Sequence, residues 1–129
     1  MLTVDTTVVV RLITNDSPRE ARRAATLFAS KKIFLPATVL LETEWVLRYA
    51  YALDPPTIAT SLRRLLGLPN VTVADPLHLN RALQLYEEGL DFADALQLAG
   101  GNGATEMRTL DPQLVKRARA AGVRGVSML

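Results

Sequence analysis

The stretch Leu2-Thr3-Val4-Asp5-Thr6-Thr7-Val8-Val9-Val10 is a β-branched run with a single acid inside it. Such a run reads as a buried strand ending near Asp5 or shortly after it. An ionised carboxylate among β-branched neighbours raises the free energy of the fold unless something pairs with it. Asp5 reads either as an acid at a strand-end turn, since Asp-Thr pairs form side-chain-supported turns, or as a metal ligand, and the second reading is taken forward.

Beyond this run, strand and helix signals alternate. Ser17, Pro18 and Glu20 supply an N-cap, a first-turn proline and a capping-box acid, which predicts a helix through about Ser30. Ile33 to Pro36 reads as a short strand. Thr38 caps a helix passing Trp45 and Tyr49 to about Leu53, where Asp54-Pro55-Pro56 stops it and starts another that ends near Gly67. Val71-Thr72-Val73 is a third strand, and Asp75-Pro76 opens a helix lasting until Gly89. Asp91 opens a short helix to about Ala99, and Gly100-Gly101-Asn102-Gly103 breaks the pattern. Met107 to Leu110 reads as a strand, Asp111-Pro112 starts a helix to Gly122, and Val123 to Leu129 forms a last edge strand. Strands alternating with helices imply parallel pairing through right-handed crossovers. The expected fold is an α/β/α sandwich of three layers around a central parallel sheet of four to five strands, in one domain over 1–129. In such sheets ligands bind beyond the C-terminal ends of the strands.

The composition narrows the chemistry. At 49% hydrophobic and 22% charged residues the chain is of globular type, and 129 residues suffice to bury a core. The absence of cysteine excludes disulfides, thiolate nucleophiles, zinc knuckles and iron–sulfur clusters, and a single histidine excludes a His-rich metal site. Any metal must sit on oxygen. The N-terminus shows no basic segment followed by a cleavable apolar core, and no stretch approaches the roughly 18 apolar residues of a membrane span, so no membrane association and a cytoplasmic location are expected. The net charge of +2 is small, but setting aside five candidate site acids leaves fifteen basic against eight acidic residues, a balance that suits a phosphate backbone. Twelve of the fifteen basic residues are arginine, whose planar fork matches phosphate.

Glu42 and Glu44 share one predicted helix with different neighbours. Glu44 has Arg48 four residues on, the spacing of a surface ion pair worth about 0.3–0.5 kcal/mol. Glu42 is flanked at helical spacing by Val39, Trp45, Val46 and Tyr49, which predicts that it points from an apolar face toward the interior. It is the second candidate. Asp91 and Asp94, three apart, share one face of a first helical turn. Asp91 reads equally as an N-cap, and Asp94, set between Phe92-Ala93 and Ala95-Leu96, is the better candidate to face inward. Asp111 precedes Pro112, as Asp54 and Asp75 also precede prolines, so capping alone accounts for it. Carboxylates converging on one pocket repel one another unless a divalent cation compensates them, and an oxygen-only set suits Mg²⁺ or Mn²⁺. Such an ion activates water and neutralises phosphate oxygens, the needs of phosphodiester hydrolysis.

With Val4-Asp5-Thr6-Thr7, Pro36 to Glu42 followed by Trp45-Val46-Leu47, Leu66-Gly67-Leu68-Pro69-Asn70-Val71, Asp91-Phe92-Ala93-Asp94-Ala95-Leu96 and Thr109-Leu110-Asp111, the sequence resembles the PIN-domain ribonucleases over nearly its whole length. Within them it is most similar to VapC-type toxins of type II toxin-antitoxin pairs. The resemblance implies a PIN-like fold and a metal-dependent endoribonuclease that cuts RNA with Mg²⁺ or Mn²⁺. It implies an acidic quartet at Asp5, Glu42, Asp94 and Asp111, with Asp91 an additional acid, metal held by Asp5, Asp94 and Asp91, and Thr6 and Thr7 in support. It further implies a homodimer inhibited by a small VapB-like antitoxin. Two positions depart from the family pattern: Thr7 stands where Asn is usual, and the glycines at 100–103 interrupt a helix that usually continues with alanines.

Three other readings compete. A PIN-like RNA-binding protein with weakened or lost activity would keep the acids as structure, and Thr7 is compatible with that. A receiver-like Mg²⁺-binding signalling domain needs an acidic pair at the end of the first strand, where Asp5 stands alone. An aspartyl phosphatase needs a second acid two residues after Asp5, where Thr7 stands instead.

Overall fold

The computed structural model describes residues 1–101 and 103–129, with seven helices and five strands among them. The chain divides into two compact units, Met1–Ala74 and Asp75–Leu129. The mixed α/β reading with parallel strands holds, and the five strands pair as one ladder of three and one of two. Among the described residues no helix is long and apolar enough to cross a membrane.

In the first unit, β1 (Leu2–Thr3), β2 (Ile33–Phe34) and β3 (Val71–Thr72) form a parallel sheet in that order, with Leu2 opposite Ile33 and Ile33 opposite Val71. The strands are shorter than expected, and β1 ends before Asp5. Residues 6–14, for which the sequence predicts no helix, form α1 (Thr6–Thr14), which carries the valines of the β-branched run. Two effects outweigh the modest cost of β-branched residues in a helix. Asp5 caps the helix, its Oδ1 accepting from Thr7 N at 3.1 Å and Val8 N at 3.4 Å, and Thr6, Val9 and Val10 are buried. The helix packs against α2 (Pro18–Ser30) and α3 (Ala37–Tyr49). At the start of α2, Ser17 makes no side-chain cap, and Glu20 accepts from Arg11 Nε at 3.2 Å rather than closing a capping box. At its other end the Asn70 amide donates to the Phe28 and Ala29 carbonyls at 3.1 and 3.0 Å, satisfying groups that a helix terminus leaves open. Pro36, not Thr38, occupies the N-cap of α3, and α3 stops at Tyr49. α4 (Pro55–Leu66) begins on the Asp54 cap as expected.

α3 turns a different face inward from the one its apolar spacing predicts. Leu40, Thr43, Glu44 and Leu47 are buried, and Glu42, Trp45 and Tyr49 are exposed. Glu42 therefore does not point into the interior, and Glu44 is no surface ion pair: it is 1% exposed and its two oxygens accept from Arg48 Nε at 2.7 Å and Nη2 at 3.2 Å. The cause lies in the neighbours of Glu42. Trp45 and Tyr49 are apolar in composition but stack on each other outside the core, so they mark an exposed patch. The fork of Arg48 takes both carboxylate oxygens, which makes the buried charge tolerable.

The second unit is built from α5 (Pro76–Glu87), α6 (Phe92–Ala99), β4 (Met107–Thr109), α7 (Pro112–Ala120) and β5 (Val126–Met128). β4 and β5 pair in parallel with Met107 opposite Val126. α5 packs on α6, with the Tyr86 and Phe92 rings edge to face at 5.2 Å. The single histidine is structural: His78 Nε2 lies 2.7 Å from the Leu96 carbonyl. Its ring also explains why position 100 is glycine, because a Cβ there would come within 2.8 Å of His78 Nε2. Asn102, part of the expected glycine break, lies outside the described residues.

Removing the buried Glu44 carboxylate takes away the bidentate partner of Arg48, whose side chain is 30% exposed, so Glu44→Ala is expected to lower unfolding free energy by about 2 kcal/mol. Glu42→Gln, at an exposed position, is expected to change it by less than about 0.5 kcal/mol. Urea denaturation of both variants checks this, and equal effects would show the facing of α3 to be wrong.

Candidate functional site

The five candidate acids divide between the units. Asp5 and Glu42 belong to the first. Asp5 sits between β1 and α1, just past the C-terminal end of its strand, where parallel sheets place their ligands. Its Oδ1 receives the Thr7 hydroxyl as well as the two backbone N–H groups, and among the described residues no donor reaches Oδ2. Thr7, the departure from the family pattern, thus holds the Asp5 carboxylate in place, and Thr6 is buried beneath the turn. The Thr7 hydroxyl and then the Val8 N–H hold the Asp5 carboxyl below the usual carboxylate range. A cavity of about 570 Å³ opens beside this turn, with Thr7, Val8, Arg11, Glu20, Arg23 and Leu27 in its wall. Glu42 stands at the centre of the exposed stripe of α3 and makes no hydrogen bond among the described residues.

Asp91, Asp94 and Asp111 belong to the second unit, and they are not equivalent. Asp91 caps α6 by accepting from Asp94 N at 3.3 Å. Asp111, past the end of β4, caps α7 by accepting from Gln113 N at 2.9 Å, and its own N–H donates to Thr109 Oγ1 at 3.0 Å. Capping therefore accounts for part of what each does. Asp94 caps nothing. Half-buried in the first turn of α6, its carboxylate accepts no hydrogen bond among the described residues. Burial, then the Asp91 carboxylate, then that of Asp111 push its pKa up, and Arg117 partly opposes them. Arg117 was not singled out in the sequence; its place in the last turn of α7 after the Asp111 cap was the available signal.

The donor set is oxygen only, the chemistry of a hard divalent cation. Among the described residues no three His, Asp or Glu side chains stand close enough to hold a metal ion together. Mg²⁺ does not require three, since it is commonly held by one or two carboxylates with water completing its shell. Asp94 with Asp91 meets that smaller requirement in residue type and in mutual repulsion.

The PIN domain family matches residues 2–119, across both units and all five acids. The chain belongs to the PIN domain family. No curated protein matches the sequence. PIN domains are generally nucleases, so this PIN domain has a nuclease-like fold, and RNA is the substrate class the family suggests.

The two shifted carboxylates act on stability with opposite signs. Asp5, depressed, adds stability that is present above the unfolded carboxylate value of about 3.9 and is lost as pH falls through its folded value. Asp94, raised, withdraws stability as pH climbs from that unfolded value through its folded one, because the unfolded chain releases the proton first. In EDTA at neutral pH, Asp94→Asn is expected to melt above wild type, with the gap closing near pH 3. Asp5→Asn is expected to melt below wild type at neutral pH. Thermal scans across pH check both, and a lower midpoint for Asp94→Asn would contradict the assigned environment.

Proposed function

We propose that this PIN domain is a metal-dependent endoribonuclease in which Asp94 and Asp91 hold Mg²⁺ or Mn²⁺, with water completing its shell, and Asp5, Glu42 and Asp111 serve as the further catalytic acids. The observation that carries the reading is Asp94: a half-buried carboxylate that accepts no hydrogen bond among the described residues and is destabilised by two further carboxylates. A divalent cation, when bound, offsets that repulsion, acidifies water and neutralises charge on the scissile phosphate. The chain's own residues supply the rest. Thr7 and the α1 N-terminus fix the Asp5 carboxylate, with one oxygen receiving no donor among the described residues. Glu42, exposed, takes a proton from the attacking water as the water oxygen bonds to phosphorus and the phosphorus–oxygen ester bond breaks, the leaving oxygen taking its proton from solvent. Arg23, in the wall of the cavity beside Thr7, offers a guanidinium to a flanking phosphate.

The motif set shared with VapC-type toxins supports a narrower reading: the toxin of a toxin-antitoxin pair, acting as a homodimer and inhibited by a VapB-like antitoxin. An acidic site invites an inhibitor carrying a basic side chain, so inhibition would weaken as metal is raised.

Millimolar Mn²⁺ or Mg²⁺ is expected to raise the wild-type melting temperature over its value in EDTA and to leave Asp94→Asn nearly unchanged. In Mn²⁺ the wild type is expected to cleave total RNA, Glu42→Gln to lose roughly 10²–10⁴-fold in rate while melting normally, and Asp5→Asn to lose cleavage across the metal range. Wild type that neither cleaves RNA in Mn²⁺ nor responds thermally to metal would refute the ribonuclease reading and favour an inactive RNA-binding protein. Co-purification with the product of an adjacent short upstream gene, and inhibition by it, tests the toxin assignment.

A further inference from the structure

The first unit exposes two aromatic side chains that its core does not use. Trp45 is 56% and Tyr49 62% exposed, on successive turns of α3, with ring centroids 5.0 Å apart and planes at 46°. They are not loose. Arg48 lies with its Cζ 4.6 Å from the Tyr49 ring centroid and donates from Nη1 to the Tyr49 hydroxyl at 3.1 Å. Arg48 is itself clamped by both oxygens of buried Glu44. The core thus orients an external aromatic pair through one guanidinium. Glu42 lies three residues before Trp45 and seven before Tyr49, on the same exposed stripe, so the pair begins one helical turn from a candidate catalytic acid.

We infer that Trp45 and Tyr49, oriented by Arg48 and Glu44, form a stacking platform for unpaired bases of an RNA strand passing Glu42. The inference rests on the ribonuclease reading above. Two observations favour a base over a second copy of this chain. The area is small: two aromatic side chains of about 150–250 Å² each, little more than half exposed, offer far less than the roughly 800 Å² per partner of a stable dimer. The placement is also right, since the pair lies on the same exposed stripe as Glu42 with a guanidinium packed on the Tyr49 ring. Stacking on aromatic rings beside arginine is how single strands are held without reading their sequence.

Trp45 is the only tryptophan, so its emission reports on the platform alone. The full-length protein is titrated in EDTA, where no cleavage is expected, with a short single-stranded RNA lacking self-complementarity and with the same sequence as a duplex. The single strand is expected to quench Trp45 saturably and the duplex to quench it much less. Trp45→Leu and Tyr49→Leu, both at exposed positions, are expected to keep the far-ultraviolet dichroism of wild type and to weaken single-strand affinity roughly five- to a hundred-fold by fluorescence anisotropy. Tyr49→Phe is expected to retain most of the affinity. RNA binding with unchanged emission and unchanged affinity in both leucine variants overturns the platform and leaves the ribonuclease reading standing. Trp45→Leu that converts a dimer to a monomer in sedimentation, with RNA affinity intact, overturns it in favour of an interface between copies. Absence of both RNA binding and Mn²⁺-dependent cleavage in wild type removes the ribonuclease reading and the platform with it.

Discussion

Glu44 accepts from Arg48 through both of its oxygens while 1% exposed, and the setting of α3 about its own axis depends on that pair. A carboxylate is admitted to a core only with its lone pairs satisfied, and the planar guanidinium satisfies two of them in one geometry. Once Glu44 is inside with Leu40, Thr43 and Leu47, the 3.6-residue period leaves Glu42, Trp45 and Tyr49 on the opposite side. The outward acid and the outward aromatics are consequences of the inward one. A rotation of α3 by a single residue would expose Glu44 and bury Glu42, which makes no hydrogen bond among the described residues.

Aspartate does two kinds of work in this chain, and they differ physically. Asp5, Asp54, Asp75, Asp91 and Asp111 each precede a helix and accept from its first N–H groups. Capping satisfies the carboxylate as well as the helix, and at Asp5 and Asp54 the hydroxyl of Thr7 or Thr57, then the backbone N–H groups, hold the pKa down. Asp94 lies inside a first turn, where the helix dipole favours its charge, but burial and two like charges outweigh that benefit.

Most of the fold was legible because the chain punctuates its helices openly. The Asp-Pro openings at 54–55, 75–76 and 111–112 mark real N-caps, and six of the seven helices start within a residue or two of their signals. α1 was not legible. Its valines spell a strand by propensity, and what makes them helical is the cap at Asp5 together with burial against α2 and α3, a tertiary effect that no local pattern carries. The facing of α3 was misread for a related reason: apolar spacing locates a core only when the apolar residues are in it, and here Leu40 to Leu47 carried the core while Trp45 and Tyr49 did not. The caps at Asp91 and Asp111 were legible, because an acid at the start of a helical pattern is the ordinary N-cap signal.

The contrast between Asp94 and its neighbours bears on why a destabilised group persists. A side chain that served only the start of α6 would gain from being Ser, Asn or an uncharged residue, since Asp91 already supplies the cap and another negative charge is opposed by Asp91 and Asp111. The fold therefore carries a local conflict that its own contacts do not resolve, the situation in which structure yields to function. Groups perturbed by burial and like charge also arise in structural networks, but there a partner is built in; at Asp94 Arg117 opposes the shift without reversing it. A ligand of opposite charge would resolve the conflict, and under the reading proposed above that ligand is a hard divalent cation.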